Sequence, residues 1–116
     1  MADTFTDLLD PQEELDFKIN LSDLLEEGEA IDSWTLEPLP EATALGLTIM
    51  SGSGRDAVLT DNATSVTFWL EVAEAFQDNA AFANGGTALP LQITVVTDAS
   101  PARTRQRTFN VTVAQR

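Results

Sequence analysis

Between Ser65 and Val72 the chain alternates without a fault: Val66, Phe68, Leu70 and Val72 are apolar, and Thr67, Trp69 and Glu71 stand between them. A β-strand sends successive side chains to opposite faces, so this pattern demands a strand with one buried and one open face. The same period of two recurs at Leu15, Phe17, Ile19 and Leu21, at Leu45, Leu47 and Ile49, at Leu91, Ile93 and Val95, and at Phe109, Val111 and Val113. Half-buried strands must hide their apolar faces against one another, and two sheets packed face to face do this. Turn signals separate the strands, including Ser51-Gly52-Ser53-Gly54 and Asp98-Ala99-Ser100-Pro101. The expected fold is all-β, an immunoglobulin-like β-sandwich of about seven strands. They are placed at 15–21, 31–36, 45–50, 57–59, 65–72, 89–97 and 104–113.

Three stretches fall outside the alternation. Ser22-Asp23-Leu24-Leu25-Glu26-Glu27-Gly28 predicts a short helical turn near 22–27 with a glycine stop. Residues 73–88 form a long connection with weak helical character, expected to be a protruding loop with contact potential through Phe76 and Phe82. Residues 1–11 read as an N-terminal arm ahead of a sandwich domain at 12–116. Phe5, Leu8 and Leu9 have the spacing of one face of a helical turn, suited to docking on a neighbour, and Asp10-Pro11 ends it.

Composition narrows the function. The 116-residue chain has no cysteine and no histidine, which removes the thiol nucleophile, the commonest general base and the commonest metal ligands together. The only lysine, Lys18, is expected on the outer face of a strand, a poor place for an activated amine. Asp56, Asp61 and Asn62 lack the spacing of a calcium loop. The glycine-rich turn at 51–54 leads to another strand and not to a lysine and a helix, so it is no phosphate cradle. A protein without catalytic residues, metal or cofactor is therefore expected. No apolar run approaches a membrane span, and the acidic N-terminus has no secretory h-region.

Net charge is −13, with thirteen of the nineteen acids in residues 1–41. Such a balance disfavours a phosphate backbone as partner. The last fourteen residues carry Arg103, Arg105, Arg107 and Arg116 and no acid. Arg103, Arg105 and Arg107 share the parity of the core residues Phe109 and Val111. They must therefore lie beyond the edge of the core, or a bulge must shift the register. They either blunt an edge strand or dock on carboxylates of a neighbouring subunit. Trp69, on an outer face, either packs across one neighbouring side chain or anchors an interface. Together with Leu24 and Leu25 in the acidic stretch, these complete the expected protein-interface set: Phe5, Leu8, Leu9, Leu24, Leu25, Trp69, Phe76, Phe82, Arg103, Arg105 and Arg107.

The order of motifs resembles a group of small tailed-bacteriophage virion proteins, the fibre–tail adaptor-like family. The likeness lies in Asp10-Pro11, Leu15-Asp16-Phe17, Leu24-Leu25, Gly28-Glu29-Ala30-Ile31 and Ser33-Trp34. It continues in Thr64 to Leu70 and in the ending Thr97, Arg107, Phe109, Val111, Val113. The resemblance implies a non-enzymatic virion structural protein at the neck or tail, present in the host cytoplasm during assembly. Several copies in a symmetric ring would join the tail to fibres or neighbouring rings. Its partners would be other virion proteins, with no nucleic acid and no membrane. Two alternatives stand beside it: a capsid decoration or cement protein, and a carbohydrate-binding module that uses Trp34 or Trp69 as a stacking platform.

Overall fold

The computed structural model describes residues 3–115. Over these the chain is an all-β sandwich of two four-stranded sheets. The strands are β1 (Asp3–Leu9), β2 (Leu15–Asn20), β3 (Ile31–Pro38), β4 (Leu47–Ile49), β5 (Val58–Thr60), β6 (Ser65–Val72), β7 (Thr87–Thr97) and β8 (Thr104–Val113). Sheet A runs in the order β1-β8-β7-β3, and sheet B is built on β6, with β2 on one side and β4 and β5 on the other. β4 pairs with 70–72 and β5 with 65–67, so the two short strands lie end to end along β6.

The alternation places the core as expected. Val66, Phe68, Leu70 and Val72 of β6 and Leu91, Ile93 and Val95 of β7 are buried between the sheets. Each such side chain contributes roughly 1.5–3 kcal/mol by leaving water. Pro38 ends β3 at the edge of sheet A, where a missing donor costs no ladder bond. The chain then crosses to sheet B through a four-residue helix, α1 (Pro40–Thr43). Pro90, within the inner strand β7, escapes the usual penalty for a related reason. Its carbonyl accepts from Leu39 N–H, just past the end of β3, so its donorless nitrogen faces the side where the ladder stops.

Two expectations need correction. Residues 3–9 do not form a helical turn or an arm; they are a strand, parallel to β8, with Leu9 fully buried. The sandwich therefore has eight strands, and an arm–domain boundary at 11 would cut it between two of its own strands. The spacing of Phe5, Leu8 and Leu9 imitates a helix because the β1–β8 register shifts between Thr4 and Leu8. The connection at 73–88 is likewise no protrusion. It makes two single 3-10 turns, Glu74–Phe76 and Ala80–Phe82, and Phe82 is 0 % exposed in the core. Phe76 lies against Gly46, where a Cβ would stand 2.6 Å from its ring; Gly46 also has φ +86°. No side chain larger than hydrogen fits there.

Phe5 joins the two sheets. Its ring lies 5.7 Å from Phe109 of β8, 5.1 Å from Phe17 of β2 and 6.1 Å from Phe68 of β6. Phe5→Ala is accordingly expected to cost roughly 2–4 kcal/mol, near the range for buried phenylalanines. Urea denaturation measures this, and a loss under about 0.5 kcal/mol, the range of ordinary surface changes, would show β1 to be dispensable.

Candidate functional site

The acid-rich corner at 21–31 bridges the two sheets at one end of the sandwich. It begins with a single 3-10 turn, Ser22–Leu24, whose Leu24 is buried. A β-turn follows, closed by Glu29 N–H to Glu26 carbonyl at 2.9 Å. Gly28 takes the positive φ of +82° that this turn requires.

Sheet B holds the corner through backbone. Leu21 N–H donates to Thr64 carbonyl and Ile31 N–H to Ala63 carbonyl, both at 2.9 Å. These acceptors sit on the β5–β6 turn, where Asp61, Asn62 and Ala63 are consecutively left-handed at φ 55°, 58° and 61°. Side chains other than glycine resist that conformation, and the contacts to the corner help to hold it.

Sheet A holds the corner through the arginine row. The β7–β8 register runs unbroken from Thr87 opposite Val113 to Val96 opposite Thr104, with Arg107 facing Ile93 and Arg105 facing Val95. No bulge intervenes, so the arginines continue the inner face of β8 past the end of the core. The corner meets them there. Arg107 Nη1 donates to Asp23 Oδ1 at 2.9 Å, Arg105 Nη1 to the Leu24 carbonyl at 3.4 Å, and Arg103 Nε to Glu29 Oε2 at 3.2 Å. Arg103 also lies 3.7 Å from Glu26. The carboxylates facing the arginines in the structure are the chain's own, and the row closes the sandwich end.

Glu29 is the centre of this contact, with its side chain 7 % exposed. Its Oε1 accepts from Glu26 N–H at 2.7 Å, and its Oε2 accepts from the hydroxyl of buried Thr97 at 3.1 Å. Those bonds, the Glu26 amide first, and the Arg103 guanidinium hold the carboxyl below its ordinary value of 4.5 against the opposing effect of burial. Arg107, through its hydrogen bond first, likewise lowers Asp23 from 3.8. Asp98 completes the clamp: its Oδ1 accepts from Ala30 N–H at 2.9 Å, and its own N–H donates to Ala30 carbonyl at 3.0 Å.

The two outer faces differ in charge. On sheet B, Trp69 has the Arg55 guanidinium over its ring, 5.0 Å from the centroid, and Arg55 also pairs with Glu14. Asp16, Lys18 and Glu71 share this face by register. Lys18 pairs with Asp61 at 2.9 Å and lowers that carboxyl from 3.8. Trp69 thus packs across a neighbouring side chain. Trp34 is paired with Val95 on the inner parity of sheet A and packs at the margin of the core.

Among the described residues, the middle of sheet A's outer face is uncharged, and its carboxylates, Asp32 and Glu37, lie on the edge strand β3. β8 contributes Thr104, Gln106, Thr108, Asn110 and Thr112, and β7 contributes Pro90, Gln92, Thr94 and Val96. β3 adds Ser33, Thr35 and Glu37, and β1 adds Leu8, 39 % exposed. A shallow depression of about 230 Å³ lies among Ser33, Trp34, Thr35, Thr94 and Val96. Of the residues expected at an interface, only Leu8 lies on this face. The polar alternation of 104–112 is visible in sequence, but which strands lie beside it is not.

Of the expected interface residues, Leu9, Leu24 and Phe82 are core. Phe5, Leu25 and Phe76 are partly buried against it. Arg103, Arg105 and Arg107 meet the corner, and Trp69 meets Arg55. Leu8 alone among the apolar members is largely exposed. Among the described residues, no group of three or more His, Cys, Asp or Glu could hold a metal ion, and no helix is long and apolar enough to cross a membrane. No protein-family model matches the chain, and no curated protein is significantly similar to it.

Three outcomes follow from the clamp. Arg107→Ser is expected to cost about 0.5–1 kcal/mol, as partly exposed ion pairs do, and to speed amide hydrogen exchange selectively at 21–31. Uniform exchange across the chain would contradict this. Glu29 and Asp23 have depressed pKa values in the folded state, so the unfolded chain takes up protons first as pH falls. Their stabilisation is present above the ordinary values of 4.5 and 3.8 and is lost as pH drops through the lower, folded ones. The urea midpoint of the native protein should fall more steeply below pH 4.5 than that of Glu29→Gln. Ala63→Gly, which relieves a left-handed alanine, should stabilise by about 0.5–1 kcal/mol after the greater freedom of unfolded glycine is counted; a lower melting temperature would refute the strain.

Proposed function

We propose that this chain is a non-enzymatic structural protein of a tailed-phage virion, an adaptor at the neck or tail that joins the tail to fibres or neighbouring rings. The observation that supports the reading is where the motifs that carry the resemblance fall. Leu15 and Phe17 open β2 onto the core, and Leu24 closes the sandwich end. Ser33 and Trp34 lie in the edge strand β3, Thr64 to Leu70 lead into and along β6, and Phe109, Val111 and Val113 are the inner face of β8. These motif residues thus occupy positions in the strands and the core, as expected if the resemblance is one of shared architecture.

The mechanism would be geometric. A sandwich clamped at its end presents flat outer faces in fixed relation, which suits a spacer between larger assemblies. A chain without histidine or cysteine has few means of acid–base or nucleophilic chemistry at neutral pH. Its net charge of −13 favours protein partners over nucleic acid. The carbohydrate-binding alternative loses support at Trp69, whose ring is covered by the Arg55 guanidinium, and keeps only Trp34, which lines the shallow depression.

Gold-labelled antibody against the chain, applied to purified particles, is expected to mark the neck or tail. Label over the head shell would replace the adaptor reading with that of a cement protein, and particles free of the chain would overturn both.

A further inference from the structure

We infer that the outer face of the β1-β8-β7-β3 sheet is a self-association surface, on which a second copy of this chain docks face to face about a two-fold axis. The inference does not depend on the virion reading, since it concerns the isolated chain.

Charge selects the face. Two copies that each carry −13 repel wherever acidic surfaces meet. The end corner carries Asp23, Glu26 and Glu27 exposed, and sheet B's face carries Asp16 and Glu71. Sheet A's face has two described carboxylates, Asp32 at the bulge and Glu37, both on the edge strand β3. Among the described residues its middle strands, β7 and β8, carry no carboxylate, so two copies can approach across them with the acids kept to the edge. A strongly basic partner would be drawn to the acidic corner instead, and a strongly acidic partner would gain nothing at a neutral face.

Side-chain chemistry points the same way. An interface about a two-fold axis brings a patch against itself, so its groups must complement their own kind. Hydroxyls and amides both donate and accept, and they meet this condition where carboxylates or guanidiniums cannot. Thr94, Thr108, Asn110 and Thr112 are such groups, and all are partly buried already by their neighbours in the sheet. Leu8 and Val96 add apolar contact. β7 and β8, at 11 and 10 residues the longest strands, run through the middle of the face. Four strands about 4.8 Å apart, of 7 to 11 residues at roughly 3.4 Å each, present about 600 Å² in projection. That is near the lower bound of about 1,200 Å² total for a specific pair of surfaces.

Sedimentation velocity of the full chain, over a concentration series from micromolar to millimolar, tests the inference. A monomer–dimer equilibrium is expected, and added salt should tighten it by screening the like net charges. Thr108→Glu sets a carboxylate in the centre of the face and is expected to weaken dimerisation at least about tenfold. Thr35→Glu, on the exposed edge strand, reads the same face if the central variant does not fold, as circular dichroism will show. Val58→Glu adds the same charge to the outer face of sheet B, where Val58 is 48 % exposed, and should leave the equilibrium unchanged. A chain that stays monomeric at every concentration and salt would overturn the inference. So would a dimer that salt loosens, one that Thr108→Glu and Thr35→Glu leave intact, or one that Val58→Glu weakens as much.

Discussion

Four phenylalanines hold the two sheets together. Phe5 and Phe109 come from sheet A, Phe17 and Phe68 from sheet B, and neighbouring centroids lie 5.1–6.2 Å apart. Rings at these distances contribute about 0.5–1.5 kcal/mol per pair beyond the area they remove from water. The chain has no disulfide to bind the layers, so this cluster and the aliphatic rows around it carry that task. Phe5 gives the cluster its reach. Through it the first strand becomes part of the core, and β8 gains a parallel neighbour along the half that carries Phe109 to Val113.

At the other half of β8 the sandwich would be open, because the inward positions there are arginines. The acid-rich corner resolves the conflict. Leu24 covers apolar surface, and Asp23 and Glu29 neutralise guanidiniums that the core could not accept. Inward-pointing charge at a strand end also discourages the addition of further strands. The same residues that look in sequence like two docking surfaces of opposite sign are thus two halves of one internal contact. Its anchor on sheet B is a left-handed turn whose carbonyls meet Leu21 and Ile31.

With the corner engaged internally, the outward character of the molecule rests on its faces. One is charged, with Arg55 laid over Trp69 and ion pairs on either side. The other is broad and hydroxyl-rich, with its described carboxylates kept to the edge strand β3.

Much of this was legible in the residues. The alternation in 65–72 and 104–113 marked β6 and β8 to the residue, and it assigned their buried faces correctly, because strand periodicity is a local property of the backbone. The turn at Gly28 and the edge position of Pro38 were legible for the same reason. What the sequence could not determine depends on which distant segments come together. Phe5, Leu8 and Leu9 fit a helical face as well as an irregular strand, and only the free edge of β8 decides for the strand. Phe82 looks like a loop contact until the 3-10 turn at Ala80–Phe82 carries it into the core. Arg103 and Glu29 are 74 residues apart, and their pairing exists only because the corner folds across the end of sheet A. The sequence by itself determined the strands and the faces they bury. The tertiary structure decided the partners, because opposite charges and complementary surfaces act through space and leave no period along the chain.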